Sequence, residues 1–314
     1  MSHTTCDLSI IIVSWNVADL LRDCLHSIVA GRGELELQVI VVDSASSDNS
    51  VAMVRDEFPW VELLACDENV GFPKGNNLGL ARANGRYVLL LNPDTVILGD
   101  ALPQMMSFMR QNSGVGVLGC QLLNADGTVQ SSKRRFPTLA TAFFESTWLE
   151  FAAPKGVLKR YYAEDLPDDA TNDVDWVVGA CMLLPTQVVA AVGGMDEAYF
   201  MYSEELDWCR RIKDSGWRVV YYPEAKIIHL VGQSSDQAVV ARHINFQQAK
   251  LRYFRKFNGR LPASLLRLFL LLNYVWQLSL EGLKGILGHK RPLRRQRVQA
   301  YWQVIRSGLR PAGY

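Results

Sequence analysis

Leu8-Ser-Ile-Ile-Ile-Val-Ser14, running directly into Trp15-Asn16, is the stretch whose reading decides the fold. The β-branched run Ile10 to Val13 reads as a strand buried on both faces. Strands of that kind belong to parallel sheets covered by helices. The residues that follow repeat the theme. Val17 to Ile28 carries Leu20, Leu21, Leu25 and Ile28 at helical spacing, and Leu37-Gln-Val-Ile-Val-Val42 is a second strand ending in Asp43. Ser47-Asp48 caps a helix reaching about Phe58. Val61 to Ala65, Lys74 to Ala83, Tyr87 to Leu91, Gly99 to Arg110 and Val115 to Leu118 continue the alternation of strand and helix. Such recurrence implies βαβ units, hence an α/β fold with a mostly parallel sheet and helices on both faces. In open sheets of this class the ligand crevice lies at the carboxyl ends of the strands. Here those ends carry Ser14-Trp15-Asn16, Asp43 and Asn92-Pro93-Asp94.

Beyond Gly119 the pattern changes. Leu122-Leu-Asn-Ala-Asp-Gly-Thr-Val129 reads as a hairpin turning at Asp126-Gly127. Phe136 to Tyr162 is mixed and aromatic, and Ala163 to Asp173 is an acidic loop. Trp176 to Leu184 reads as one buried strand, Ser203 to Lys213 as a helix, and Trp217 to Tyr222 and Ala225 to His229 as two strands. Val239 to Phe257 and Leu265 to Leu287 are helical, the second amphipathic and strongly apolar.

The chain has 314 residues, 49% hydrophobic and 21% charged, a globular balance that excludes a disordered or fibrous protein. Its net charge of +1 conceals a polarity: residues 251–314 hold 13 Lys/Arg against one acid, Glu281, and the remainder is acidic. A basic tail on an acidic body predicts an anionic partner for the tail. The 6 cysteines have no CxxC spacing, which predicts free thiols rather than a zinc site. Met1 to Asp7 is polar, so no signal peptide is expected. The charge-free stretch Leu268 to Leu280 has 13 residues, whereas a spanning helix needs about 20; no membrane crossing is expected.

Taken in order, Val13-Ser-Trp-Asn16, Val41-Val-Asp-Ser-Ala-Ser-Ser-Asp48, Asn69-Val-Gly-Phe-Pro-Lys-Gly-Asn-Asn-Leu-Gly79, Leu91-Asn-Pro-Asp-Thr95, Gly179-Ala180, Phe200-Met-Tyr-Ser-Glu-Glu-Leu-Asp207 and His229 resemble the motifs of family 2 glycosyltransferases. The likeness covers roughly residues 8–234 and is greatest to the bacterial rhamnosyltransferase branch. It implies the GT-A fold, a nucleoside-diphosphate sugar as donor, a divalent metal (Mg²⁺ or Mn²⁺) and an inverting displacement.

The resemblance assigns Asp43 to the base, with Trp15 and Asn16 lining its pocket; a carboxylate there can accept the N3–H of uracil or thymine. Read structurally, Asp43 starts an Asx turn. Gly71, Gly75 and Gly79 permit close backbone approach to a diphosphate, with Lys74 and Asn77 as side-chain contacts, or they serve tight turns. Asn92-Pro-Asp94 stands where the family has DxD, so one carboxylate is lost and Asp94 remains to meet the metal. The alternative is a turn ending a strand. By position Glu205 is the general base, where relatives usually carry Asp, while Glu204 and Asp207 orient it or hold the acceptor. Ser203-Glu204-Glu205 is equally a helix start, with Ser203 as N-cap and a dipole that keeps the carboxylates ionised. His229 completes the metal shell by resemblance, or is structural; the segment after it reaches Gly232-Gln-Ser234. Trp176 and Gly179-Ala180 floor the acceptor pocket by position.

These readings divide the chain into a catalytic domain at 1–238, with a nucleotide-sugar half at 1–119 and an acceptor half at 120–238, and a basic helical segment at 239–314. Residues 262–297 are expected to meet an anionic membrane surface on the cytoplasmic face, where a lipid-linked saccharide acceptor would be reached. The alternative is packing against the catalytic domain or a second copy of the chain, as a homo-oligomer. Nucleic acid is not an expected partner, because the body is acidic and carries no nucleic-acid motif. Two other functions fit part of the sequence. A sugar nucleotidyltransferase would share the sheet and metal carboxylate but has no use for the late acid pair. A membrane-surface adaptor would use the tail alone.

Overall fold

The computed structural model describes residues 6–145, 147–230, 239–288 and 290–310. In chain order it runs β1 (Cys6–Ser14), α1 (Ala18–Gly31), β2 (Leu37–Asp43), α2 (Ser50–Glu57), β3 (Glu62–Ala65), α3 (Phe72–Leu80), β4 (Gly85–Leu91), β5 (Thr95–Ile97), α4 (Ala101–Gln111), β6 (Val115–Leu123) and β7 (Lys133–Arg134). There follow α5 (Leu139–Phe144), a 3₁₀ turn (Glu150–Ala152), α6 (Lys155–Tyr161), β8 (Asn172–Val174), β9 (Trp176–Val177), β10 (Cys181–Pro185), α7 (Thr186–Val192), α8 (Glu204–Asp214) and β11 (Arg218–His229). The chain ends with α9 (Val239–Asn258), α10 (Arg260–Ile286) and α11 (Arg291–Ser307).

Two compact units emerge. The first comprises Met1–Phe136, Tyr162–Glu197 and Glu204–Ser234; the second comprises Pro137–Tyr161, Ala198–Ser203 and Ser235–Tyr314. The division is therefore not a single cut at 238, because the second unit also takes two stretches from within the expected catalytic domain.

The first unit is built on a 9-stranded sheet in the order β3-β2-β1-β4-β10-β6-β11-β5, with β8 also paired to β11. Strands β3, β2, β1 and β4 are mutually parallel. Ser14 and Asp43 sit level in the register, so two polar strand ends open side by side. Leu8, Ile10 and Ile12 join Leu21, Leu25, Ile28, Met105 and Met109 in one core on one face. On the other face Ile11 and Val13 meet the glycines of α3. Both faces are thus covered, as the Ile10 to Val13 run requires.

The sheet departs from the expected pattern at three places. Trp176 to Leu184 is not one strand: β9 pairs with β7 in a separate two-stranded sheet, and β10 enters the main sheet antiparallel to both β4 and β6. The two expected strands 217–222 and 225–229 are one strand, β11, interrupted by a register shift between Tyr222 and Lys226. The short β5, which the sequence did not announce, pairs antiparallel with the end of β11 and sets His229 opposite Thr95. The hairpin after β6 does form: Leu123 bridges Val129, and Gly127 takes the left-handed φ of 82° that its turn needs.

In the second unit α10 packs against α9, α11 and α5. Ala263, Leu266, Leu270 and Tyr274 are buried, and Phe143 meets Phe269 edge to face at 4.8 Å. Glu281 is buried on α10 but held by Arg294 at 2.5 Å. By length and composition alone α10, at 27 residues, is long and apolar enough to cross a membrane. The expected absence of a span rested on a shorter, charge-free stretch.

Candidate active site

At the end of β2 Asp43 makes the turn that one reading of it requires. Its Oδ1 accepts from the Ser46 amide at 2.9 Å, which is the Asx turn, while its Oδ2 is buried without a hydrogen-bond partner. The second oxygen is available to a ligand donor. Asn16, at a φ of 54°, is a clamp: its amide donates to Ser46 Oγ and its Oδ1 accepts from the Ser47 amide at 2.7 Å. It shapes this end of the crevice by holding the loops after β1 and β2 together, and Trp15 beside it is half-buried. Ser44 Oγ donates to Asn69 Oδ1, which also accepts from the Gly71 amide at 3.0 Å. Gly71, with φ 77°, is the hinge from this loop into α3.

The glycines of α3 divide in role. A Cβ at Gly75 would lie 2.8 Å from Val13, and one at Gly79 would lie 2.4 Å from Ile11. These two let the helix lie directly on β1. Asn77 Nδ2 donates to Met195 O and Glu197 Oε1, and its Oδ1 accepts from the Met195 amide at 2.9 Å. That amide holds the loop after α7. Lys74 is exposed.

At the end of β4 the backbone of Asn92 is tied to Ala180, its amide donating to Ala180 O at 2.9 Å. Asp94 O accepts from the Leu230 amide, which brings the end of β11 alongside. His229 Nε2 stands 3.4 Å from Asp94 Oδ1 and 3.3 Å from Asn92 Nδ2. Asp94 Oδ1 and Asn92 Oδ1 are buried without hydrogen-bond partners. Among the described residues no cluster of three or more His, Cys, Asp or Glu side chains gathers for a metal. What the chain offers is one carboxylate, one imidazole and an orphaned amide oxygen. That set fits a cation whose other ligands come from a diphosphate and water, and it does not suffice for a closed structural site. Residues Gly232, Gln233 and Ser234 lie outside the described residues.

The acid pair opens α8. Tyr202 and Ser203 precede it with φ of 74° and 61°, so Ser203 does not have the extended backbone of an N-cap. Glu204 is 4% exposed, and burial together with the charge of Glu205 pushes its carboxyl well above the ordinary range. Burial also raises Glu205, against the backbone amides of Glu205, Leu206 and Gly179 and the charge of Arg134. Desolvation thus outweighs the helix start, whose dipole alone would lower the proton affinity of this carboxyl. Glu205 lies over Gly179, where an added Cβ would meet its side chain at 3.5 Å, and its Oε2 is buried without a partner. Gly179-Ala180 is therefore the bridge that links this carboxylate to Asn92. Asp207 is corrected. It is 0% exposed and accepts from Arg211 Nε at 2.8 Å, while Arg211 also donates to Val192 O and Gly194 O. It braces the fold beneath the site instead of meeting an acceptor.

Two participants escaped sequence reasoning. Gln130 accepts from His229 Nδ1 at 2.9 Å and donates to His229 O at 2.8 Å. Arg134, stacked 4.8 Å from the Tyr162 ring, directs its charge toward Glu205. Gln130 follows a legible hairpin, but nothing in the sequence connects it with a strand end 99 residues later.

The mostly parallel sheet flanked by helices is a glycosyltransferase fold of the GT-A kind. Comparison with known proteins agrees. The model of "Glycosyl transferase family 2" matches residues 9–166; the chain belongs to that family and is a glycosyltransferase. An N-acetylglucosaminyl-diphospho-decaprenol L-rhamnosyltransferase of Mycobacterium tuberculosis is 26% identical over 215 residues, 65% of this chain and 70% of that protein. Among solved structures, the mannosyltransferase PcManGT of Pyrobaculum calidifontis, in complex with GDP-Man and Mn²⁺, matches 98% of this chain and 87% of its own with a TM-score of 0.55 at 17% identity. GalNAc-T7 with UDP, GalNAc and Mn²⁺ matches 80% of this chain with a TM-score of 0.58 at 14% identity, and the match spans about half, 48%, of that longer chain.

Proposed function

We propose that this glycosyltransferase moves a sugar, rhamnose from dTDP-rhamnose by preference, to a hydroxyl of a cell-surface glycan or lipid-linked saccharide, with inversion. The observation that carries the reading is Glu205. It is a carboxylate with a buried, unpartnered oxygen, set against Gly179 and linked through Ala180 to the Asn92-Pro93-Asp94 strand end. The similarity to a rhamnosyltransferase supports the choice of donor.

In this mechanism Asp43 Oδ2 accepts the base N3–H, and Asn16 keeps the loops around it in place. Glu205 takes the proton of the acceptor hydroxyl as its oxygen attacks the anomeric carbon. The bond from that carbon to the diphosphate oxygen breaks in the same displacement, and the nucleoside diphosphate departs. A divalent cation, Mg²⁺ or Mn²⁺, when held by Asp94 and His229, offsets charge on the departing diphosphate. Glu204, the deeper acid, resists ionisation beside Glu205, because burial and the charge of Glu205 both raise its carboxyl. Asn92 leaves the site one negative charge short of a DxD pair. The basic C-terminal segment, residues 262–297, would hold the enzyme at an anionic membrane on the cytoplasmic side, where a lipid-linked acceptor is met.

The test is release of nucleoside diphosphate by purified protein over dTDP-, UDP- and GDP-sugars, with and without Mn²⁺ or Mg²⁺ and with a lipid-linked acceptor. Metal-dependent turnover of one donor is expected, with Glu205→Gln at least 100-fold slower, the loss typical of a missing general base at about 10²–10⁴. Pyrophosphate release from a nucleoside triphosphate, or full activity in Glu205→Gln, would overturn the reading.

A further inference from the structure

His229 closes β11 with both ring nitrogens engaged, and the two ends can be read against each other. The chain of hydrogen bonds starts at the hairpin tip. Asp126, as a carboxylate, only accepts, and it takes the Thr128 hydroxyl at 2.6 Å. Thr128 Oγ1 has no second proton, so it accepts from Asn124 Nδ2 at 2.8 Å. Asn124 Oδ1 is then the acceptor facing Gln130, and Gln130 Nε2 donates to it at 2.9 Å and to His229 O at 2.8 Å. With its nitrogen so placed, Gln130 turns Oε1 toward His229 Nδ1, 2.9 Å away. Each link has one polarity, and the last requires a proton on Nδ1. The far end agrees: Asn92 Nδ2, a donor, stands 3.3 Å from Nε2 and needs a lone pair there.

We propose that the hairpin from Leu122 to Gln130 is a polarity relay that fixes His229 in the Nδ1–H tautomer, with Gln130 as the positioning residue that aims the Nε2 lone pair at Asp94 and Asn92. The backbone makes the relay stiff, since the Gln130 amide donates to Leu122 O at 2.8 Å and the Asn124 amide to Thr128 O at 2.8 Å. Without a proton on Nε2, its approach to the unpartnered Asp94 Oδ1 at 3.4 Å sets two lone pairs face to face. That is an arrangement for a cation. The consequence for metal affinity rests on the reading of Asp94 and His229 given under Proposed function; the tautomer does not.

The experiment uses the full chain, labelled with ¹⁵N-histidine and free of metal. Long-range ¹H–¹⁵N spectra at pH 8 read the tautomer, and His229 is identified among the 5 histidines by the signal that His229→Gln removes. A protonated Nδ1 and bare Nε2 are expected in the wild type. Gln130→Met, similar in size but without an acceptor, should populate the other tautomer. It should also weaken Mn²⁺ binding in the presence of dTDP or UDP about 10–100-fold, as loss of an outer partner of a metal-bound His does. Gln130→Glu, which keeps an acceptor at Nδ1, should recover most of that affinity. A wild-type His229 protonated on Nε2, or on both nitrogens, overturns the relay, and so does a Gln130→Met spectrum unchanged from wild type. If the tautomer responds as stated while Mn²⁺ fails to bind with either nucleotide, the relay stands and the metal reading falls.

Discussion

Glu204 and Glu205 are neighbours in sequence, yet the fold gives them different chemistry. Both carboxyls are raised by burial; Glu204 also feels the charge of Glu205, while three backbone amides and Arg134 restrain Glu205. For the base this has a direct consequence. Since Glu205 must be ionised to take a proton, kcat/KM should fall on the acid side with a midpoint above the ordinary glutamate value of about 4.3. A pH profile measured with saturating metal checks this, and Arg134→Gln should move that limb further toward neutral pH. For Glu204 the consequence is for stability. A carboxyl whose pKa is raised by folding stabilises below its unfolded pKa and loses that contribution as pH rises through the folded value. Glu204→Gln should therefore raise the urea midpoint at pH 7.5 and leave it nearly unchanged near pH 4; equal midpoints at both pH values would count against the burial argument. Asn92 invites the opposite experiment. Asn92→Asp restores a second carboxylate beside Asp94, and calorimetry should show tighter Mn²⁺ binding in the presence of nucleotide.

At the scale of elements, the close approach of α3 to β1 is what sets the loop from Asn69 to Gly71 at the strand ends. Two glycines make that approach, and Gly79 is the tighter position, with a Cβ falling 2.4 Å from Ile11 Cγ2. Gly79→Ala gains about 1 kcal/mol of helix propensity, and the clash with a fully buried isoleucine costs about 1–3 kcal/mol. The clash wins, so chemical denaturation should show a net loss, whereas Gly282→Ala on α10, where a Cβ meets nothing within 4 Å, should be neutral or stabilising. The same elements show what a sequence can disclose. The β1–α1–β2–α2–β3–α3–β4 run was legible because β1, β2 and the end of β4 are buried apolar runs and α1 between them has its own apolar period. Strand β10 was not, since Cys181-Met-Leu-Leu184 reads alike in either direction and its antiparallel sense is decided by β4 and β6. Asp43, Asp94 and Glu205 were legible as acids in suggestive places. The contacts of Asn77 and Asp207 with Met195 and Arg211 were not legible, because an amide or carboxylate in a motif looks the same whatever it meets. Gln130 depends on a pairing that exists only in three dimensions.

For the whole molecule, the physics turns on what covers α10. One face is packed within its own unit, but Leu261, Leu265, Leu268, Leu272, Trp276, Leu283 and Ile286 are exposed along the other, Ile286 to 78%. Spaced by three, four or seven residues, they lie along one side of a helix about 40 Å long at 1.5 Å per residue. Exposed Lys290, Arg291 and Arg295 follow it. An apolar stripe continued by cations suits a helix lying in the headgroup region of an anionic bilayer. Length alone also permits a crossing, but a crossing helix would carry into hydrocarbon the Glu281–Arg294 pair that links it to α11. The in-plane arrangement avoids that cost. Full-length protein should therefore sediment with vesicles containing phosphatidylglycerol and much less with pure phosphatidylcholine, and binding should weaken as salt rises. Leu268→Glu with Leu272→Glu should abolish sedimentation while leaving soluble donor hydrolysis intact, because neither residue belongs to the catalytic unit. Alkaline carbonate separates the two geometries: release from membranes fits the helix in the plane, and retention would mean that α10 spans.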